Sequence, residues 1–265
     1  MLRAALLTTL GLGVLGMLPQ SQPTSPFAPR SFTRTGHTMP YRLFVPDAKA
    51  RTQPLPLVVW LHGAGGLGVD NDKQISAGGN EFGSGLWVKP EIQTKYPAFV
   101  VAPQSPADQL WGSTAMAKPT TYGQLVLDLI EALAQEFSID RDRVYLLGQS
   151  RGGIGVWDLI AKRPDVFAAA VPICATGDPK RIAAARSVKV WVFHGAKDTM
   201  PVTNARDMVA ALTAAGGAVK YTEYPELGHE IWGRVFAEPD LPAWLFAQHR
   251  RSTDCDGSCA AVKNP

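Results

Sequence analysis

Cysteine is scarce: three residues in 265, so no dense disulfide framework holds this fold together. Basic runs interleaved with aromatics are absent. The 26 basic and 23 acidic residues leave a formal charge of +3, which excludes the electrostatic footprint of a nucleic-acid binder. The densest basic cluster, "HRR" at 249–251, reads as a solvated helix end. No apolar run reaches the ~20 residues of a membrane span. Internal repeats and long linkers are missing too, so one domain is the economical reading. What remains is 46% apolar and 18% charged residues, the composition of a globular chain with a real core.

The N-terminus differs from the rest. Arg3 precedes an uncharged stretch rich in Leu, Ala and Gly over residues 4–18, broken by "PQSQP". A charged start, an apolar middle and a polar exit describe a secretory leader over 1–20, with an uncleaved anchor as the alternative. No Ala-x-Ala triplet marks a cleavage site. After cleavage no stable membrane span is expected, and the location is secreted or periplasmic. Residues 21–38 read as a flexible lead-in, 39–250 as the folded domain and 251–265 as a C-terminal tail. Cys255 and Cys259, in "DCDGSC", read as a small disulfide loop or two free thiols. A metal pair would want further Cys or His nearby. Cys174, ending "FAAAVPIC", reads as a core thiol.

Strands are expected over 41–45, 56–61, 98–102, 143–147, 167–173, 189–194 and 219–224. Several are continuous apolar runs, such as "PLVVWL" and "VKVWVF", which suit strands buried on both faces. Helices are expected over 122–137, 153–162, 203–215 and 240–250. The second stops before Pro164 and the third at Gly216 and Gly217. The alternation predicts an α/β fold with a mostly parallel sheet and helices on both faces. Two connections, 62–97 and 103–120, are unusually long. Such connections carry function, because ligands bind outside the carboxyl ends of the strands.

The stretch "VYLLGQSRGG" places Ser150 between a strand and a helix, inside Gly148-x-Ser150-x-Gly152. A sharp turn there exposes the hydroxyl at the sheet edge above a helix N-terminus. A helix-capping serine in a Gly-rich turn is the plain alternative. No lysine follows the glycines, so the segment is not a phosphate loop.

A serine nucleophile needs a base and a group that orients it, in chain order Ser, acid, His. Asp198 follows "VKVWVF" and His229 follows the next expected strand. Asp178, after the preceding strand, is the alternative acid. His194 ends its strand and reads as loop support. His249 reads as surface. Attack on a carbonyl also needs oxyanion donors. The backbone N–H of Arg151 is one. The loop "LHGAGG" supplies Ala64, with Gly65 second, while His62 reads as a structural hydrogen-bonder.

With "PLVVWLHGAGGLGVDND", "VVAPQSP", "VYLLGQSRGGIGVWDLIAKRPDVFAAAVPIC", "VWVFHGAKDTMPV" and "YPELGHEIW", the chain resembles the α/β-hydrolases of the dienelactone-hydrolase and feruloyl-esterase-like branch. Relatives there are often labelled predicted peptidase or phospholipase/carboxylesterase. The resemblance runs from about Tyr41 to Trp244. It implies Ser150 as nucleophile, Asp198 as orienting acid and His229 as base in a serine carboxylesterase that works through an acyl-enzyme. Such chemistry needs no metal and no organic cofactor. Arg151 departs from the family, where Met is common. Only about 15 residues lie between Ile173 and Lys189, too few for a helical cap domain, so an open cleft is expected. Trp111 and Trp232 are candidates to line it, with a core role the alternative. The expected substrate is a small-molecule or polysaccharide-linked ester, of feruloyl or acetyl type. A serine peptidase of the same fold, and a non-catalytic binding protein on this scaffold, are the competing readings.

Overall fold

The computed structural model describes residues 25–113 and 115–250. The expected leader, the start of the lead-in, the tail and Cys255 and Cys259 lie outside the described residues. Eight strands form one sheet: β1 Ala28–Arg34, β2 His37–Phe44, β3 Leu55–Leu61, β4 Phe99–Pro103, β5 Ile139–Gln149, β6 Ala169–Ile173, β7 Lys189–Gly195 and β8 Val219–Tyr224. Their order is β1-β2-β4-β3-β5-β6-β7-β8. The β1–β2 and β2–β4 pairs are antiparallel. From β4 to β8 every pairing is parallel. Among the described residues eight α-helices accompany them: α1 Lys73–Ser76, α2 Asn80–Gly85, α3 Pro90–Lys95, α4 Thr121–Glu136, α5 Arg151–Lys162, α6 Val202–Ala214, α7 Trp232–Val235 and α8 Leu241–Phe246.

The continuous apolar runs have the expected cause. In β3, Leu57, Val59 and Leu61 pack into one layer with α4 and α5. Val58 and Trp60 point the other way, into a second layer with Trp87, Phe236 and Phe246. In β7, Val190 and Val192 join the first layer, and Trp191 and Phe193 the second. Residues of both faces are buried, and each large side chain so removed from water contributes about 2–3 kcal/mol. Of the outer strands, β1 is mostly exposed and β8 is half-buried except at Lys220.

Three expectations need correction. The lead-in expected over 21–38 contains β1 and the start of β2. Pro29, Arg30, Ser31 and Thr33 give it no apolar signal, and pairing Ala28↔Leu43 through Arg34↔His37 makes it a strand. The final helix ends at Phe246, not at residue 250, and His249 lies beyond it, exposed. Helix α5 begins at Arg151, two residues earlier than expected. The long connection 62–97 carries α1, α2 and α3. The connection from β6 to β7 holds only a 3-10 turn, Ile182–Ala185, and no cap.

Candidate active site

The parallel strands all point the same way, so the turns after β3, β5, β6 and β7 and the loop after β8 gather at one edge of the sheet. Ser150 lies at the junction of β5 and α5, with φ 52° and ψ −118°. A positive φ at a residue with a side chain costs about 1–3 kcal/mol and persists only where the surroundings impose it. They do. Ser150 N–H donates to Ile173 O at 2.8 Å, and Ile154 N–H donates to Ser150 O at 3.0 Å. At Gly152 an added Cβ would sit 1.9 Å from Leu61 O. Only glycine lets the first turn of α5 press that closely on β3. The residues boxing the serine are therefore demanded by packing, and the result is a hydroxyl held at the sheet edge.

Asp198 follows β7, and His229 stands in the loop after β8. Two backbone bonds tie these loops together: Ala196 N–H to Tyr224 O at 3.0 Å and Lys197 N–H to Leu227 O at 2.9 Å. At Gly195 a Cβ would meet Gly228 O at 2.0 Å, so glycine is needed where the loops cross. The side chains then meet. His229 Nδ1–H donates to Asp198 Oδ2 at 2.8 Å. His229 Nε2 accepts from Ser150 Oγ at 2.9 Å. All three expected triad residues are within hydrogen-bond distance in one chain.

The acid is the most enclosed of the three, with no exposed side-chain surface. Burial opposes its ionisation. Hydrogen bonds from His229, the Met200 N–H and Cys174 outweigh that, and its pKa lies below the ordinary aspartate value. The Met200 bond is 2.8 Å. His194, also buried, places Nε2 3.4 Å from Asp198 Oδ2 and donates to Met200 O at 3.1 Å. His194 is loop support, as expected, and it braces the acid's own turn.

Cys174 was expected only in the core. It is buried, and it also reaches Asp198. Its sulfur, an Asp198 oxygen and a His229 nitrogen lie within 4.8 Å of one another. Those three offer ligand atoms, but a metal would require the thiolate. Burial pushes the Cys174 thiol above its ordinary pKa, and His229 Nδ1 is already committed to Asp198. The donor set fits a hydrogen-bond relay, not a metal. Cys174 has a positive φ of 45°, so the turn after β6 is shaped to point it there. No sequence pattern announces this, because strand neighbours such as Ile173 and Phe193 are set by sheet pairing.

The turn after β3 supplies the expected amides. Ala64 and Gly65 are exposed within the 3-10 turn Ala64–Gly66. Their N–H groups, and that of Arg151, donate to no acceptor among the described residues. Asn80 and Gln149 brace this turn: Gly63 N–H donates to Asn80 Oδ1 at 3.1 Å, and Gln149 Nε2 donates to Gly78 O at 2.8 Å. Sequence reasoning singled out neither. His62 is fully buried. Its Nε2 accepts from Ser105 N–H at 3.0 Å and its Nδ1–H donates to Gly63 O at 2.7 Å. Burial lowers its pKa to about 4, so it stays neutral and structural near pH 7.

Two expected positions separate. Trp232 packs edge-on to His229, ring centroids 5.2 Å apart. Trp111 does not line the site. It is 2% exposed, its Nε1–H donates to His62 O at 3.2 Å, and it packs under the turn after β3. The long loop folds back, and the indole satisfies a buried carbonyl instead of facing solvent. Asp178 is not at the site either. It pairs with Arg181 at 3.9 Å and lines a separate cavity of about 340 Å³ beside α5.

Comparison with known proteins agrees with this frame. The model of the "Prolyl oligopeptidase family" matches residues 124–191. A solved structure of a thermostable esterase is 36% identical, with a TM-score of 0.80, over 85% of this chain and 64% of that one. The chain thus spans less than two thirds of that esterase's length. A mutant of the feruloyl esterase module from Clostridium thermocellum, complexed with sinapinate, is 15% identical with a TM-score of 0.61 over 85% of this chain and 89% of that one. An S-formylglutathione hydrolase from Staphylococcus aureus is also 15% identical, TM-score 0.61, over 83% and 98%. The last two speak to fold alone. No curated protein matches.

Proposed function

We propose, from the premise that this chain is an α/β-hydrolase, that it is a serine carboxylic-ester hydrolase. One observation carries the reading: the unbroken chain from Ser150 Oγ through His229 to Asp198, at 2.9 and 2.8 Å. His229 takes the serine proton as Oγ attacks the ester carbonyl. The oxyanion that forms is met by the amides of Arg151 and Ala64, with Gly65 beside them, at the N-terminus of α5. His229 passes the proton to the leaving alcohol, and the acyl-enzyme remains. Water, deprotonated by the same imidazole, then releases the acid and restores Ser150. Asp198 holds the imidazole in the Nδ1–H tautomer and stabilises its cation.

The reading is supported by the likeness to a thermostable esterase. It extends to feruloyl or acetyl esters, free or attached to polysaccharide, by analogy with the feruloyl esterase module. Trp232 beside His229 is proposed to line the acyl or alcohol side. Export through the leader to a secreted or periplasmic location completes the proposal. N-terminal sequencing of protein recovered outside the cytoplasm tests that part.

The match to the prolyl oligopeptidase family favours a second reading, a serine peptidase. One assay separates the two. Wild type and Ser150→Ala are compared on p-nitrophenyl acetate, p-nitrophenyl octanoate, methyl ferulate and a chromogenic peptide amide. Ester turnover that falls by about 10⁴ or more in Ser150→Ala, with no comparable amide cleavage, supports the esterase. Serine-dependent amide cleavage that outruns every ester supports the peptidase.

A further inference from the structure

The side chain after the nucleophile has a role that the triad does not use. Arg151 opens α5, and its backbone N–H is already assigned to the oxyanion. Its guanidinium donates once, from Nη2 to Gln109 O at 3.0 Å. Of its five N–H donors, the others meet no carboxylate: Arg151 makes no ion pair among the described residues. Most arginines of the fold are paired, among them Arg30, Arg42, Arg143 and Arg206. Asp108 precedes Gln109 on the same loop, yet among the described residues it pairs with no arginine.

Three contacts locate this charge. Gln109 lies two residues before Trp111, whose indole donates to His62 O. His62 begins the turn that presents Ala64 and Gly65. The Arg151 charge in turn disfavours protonation of His62. The half-buried guanidinium is thus tied to the 103–120 loop through Gln109 O, near enough to the His62 turn for its charge to act there. A half-buried guanidinium with donors left over can take an anion in place of water. Its planar fork suits a carboxylate.

We propose that Arg151 is a specificity-determining residue that receives a carboxylate carried by the substrate near its scissile ester. The inference rests on the esterase reading and names its substrate class: half-esters and other esters that keep one free carboxylate. Gln109 O fixes one arm of the fork and leaves the remaining donors free to take the carboxylate.

The test uses pairs of equal size that differ in charge. Ethyl hydrogen succinate against ethyl succinamate reads the acyl side. Acetoxyacetate against acetoxyacetamide reads the alcohol side. Hydrolysis is followed by titration for wild type, Arg151→Met and Arg151→Lys. In at least one pair, wild type favours the charged ester. That ratio of kcat/KM falls about 10-fold or more in Arg151→Met, a loss on the scale of one charge-assisted bond. It is partly kept in Arg151→Lys. It also shrinks as salt is raised from about 0.05 to about 1 M. A ratio at or below one in both pairs, unmoved by Arg151→Met while the neutral esters are still turned over, overturns this inference alone. Failure of wild type on all four esters overturns the esterase reading and this inference with it.

Discussion

The turns after β6 and β7 each present an aspartate at the same sheet edge, and the two have opposite fates. Asp178, after β6, turns outward to Arg181 and the Lys180 N–H. Asp198, after β7, turns inward, where His229, the Met200 N–H and Cys174 converge on it. Position along the chain is nearly equivalent, since each follows a buried parallel strand by a few residues. The difference lies in what the neighbouring strand brings. β8 carries the His229 loop across to β7, held by the backbone bonds at Ala196 and Lys197. β6 lends Cys174 to the same carboxylate. The proposed catalytic acid is thus set apart by donors that arrive from other elements.

Breaking the inner aspartate should have the largest effect. Asp198→Asn leaves the shape intact but favours the wrong imidazole tautomer, so kcat for the best ester should drop about 10⁴-fold, with the circular dichroism spectrum unchanged. A loss within about tenfold would move the acid elsewhere. Cys174→Ala removes one donor from the buried carboxylate, worth about 1 kcal/mol, and should lower kcat about fivefold. Cys174→Ser, which keeps a donor, should recover most of that. Equal losses for both would mean that Cys174 only fills space.

The same contrast has a pH signature. The folded-state pKa of Asp198 is depressed. Its stabilising contribution is therefore present above the unfolded value, near pH 4, and is lost as pH falls through the lower folded value. Urea midpoints measured from about pH 5 to about pH 2 should fall more steeply for wild type than for Asp198→Asn. Parallel curves would deny the carboxylate that role. The smallest effect is expected from Asp178→Asn, which faces solvent and an arginine. Activity should stay within about twofold, as for other exposed pairs. A loss comparable to that of Asp198→Asn would erase the comparison.

Much of this was readable from residues. "PLVVWL" and "VKVWVF" are buried on both faces, so their apolar runs are continuous and declare central strands. Ser150 is legible because a strand, a turn and a helix are each local. The order Ser150, Asp198, His229 is legible because connections in such a sheet return to one edge. The unread parts share a cause. β1 exists through backbone pairing with β2, and backbone pairing is blind to the polar side chains of 28–34. Helices α1 to α3 are short, and α2 is rich in glycine, so periodicity cannot mark them. For Trp111 the sequence leaves a rim and a core role open, and the fold of the loop, which brings its indole onto His62 O, decides for the core.

Local chemistry written along the chain sufficed for the strand pattern, the turn that raises Ser150 and the identities of its two partners, because each depends on residues adjacent in sequence or on a conserved sense of connection between parallel strands. Only the tertiary structure decided that Cys174 and His194 brace Asp198, that Asn80 and Gln149 hold the turn after β3, and that Arg151 meets Gln109 O but no carboxylate among the described residues. Those contacts join residues up to 71 positions apart, as between Gln149 and Gly78. They depend on which strands lie side by side, and side-by-side packing is a property of the whole sheet, not of any segment in it.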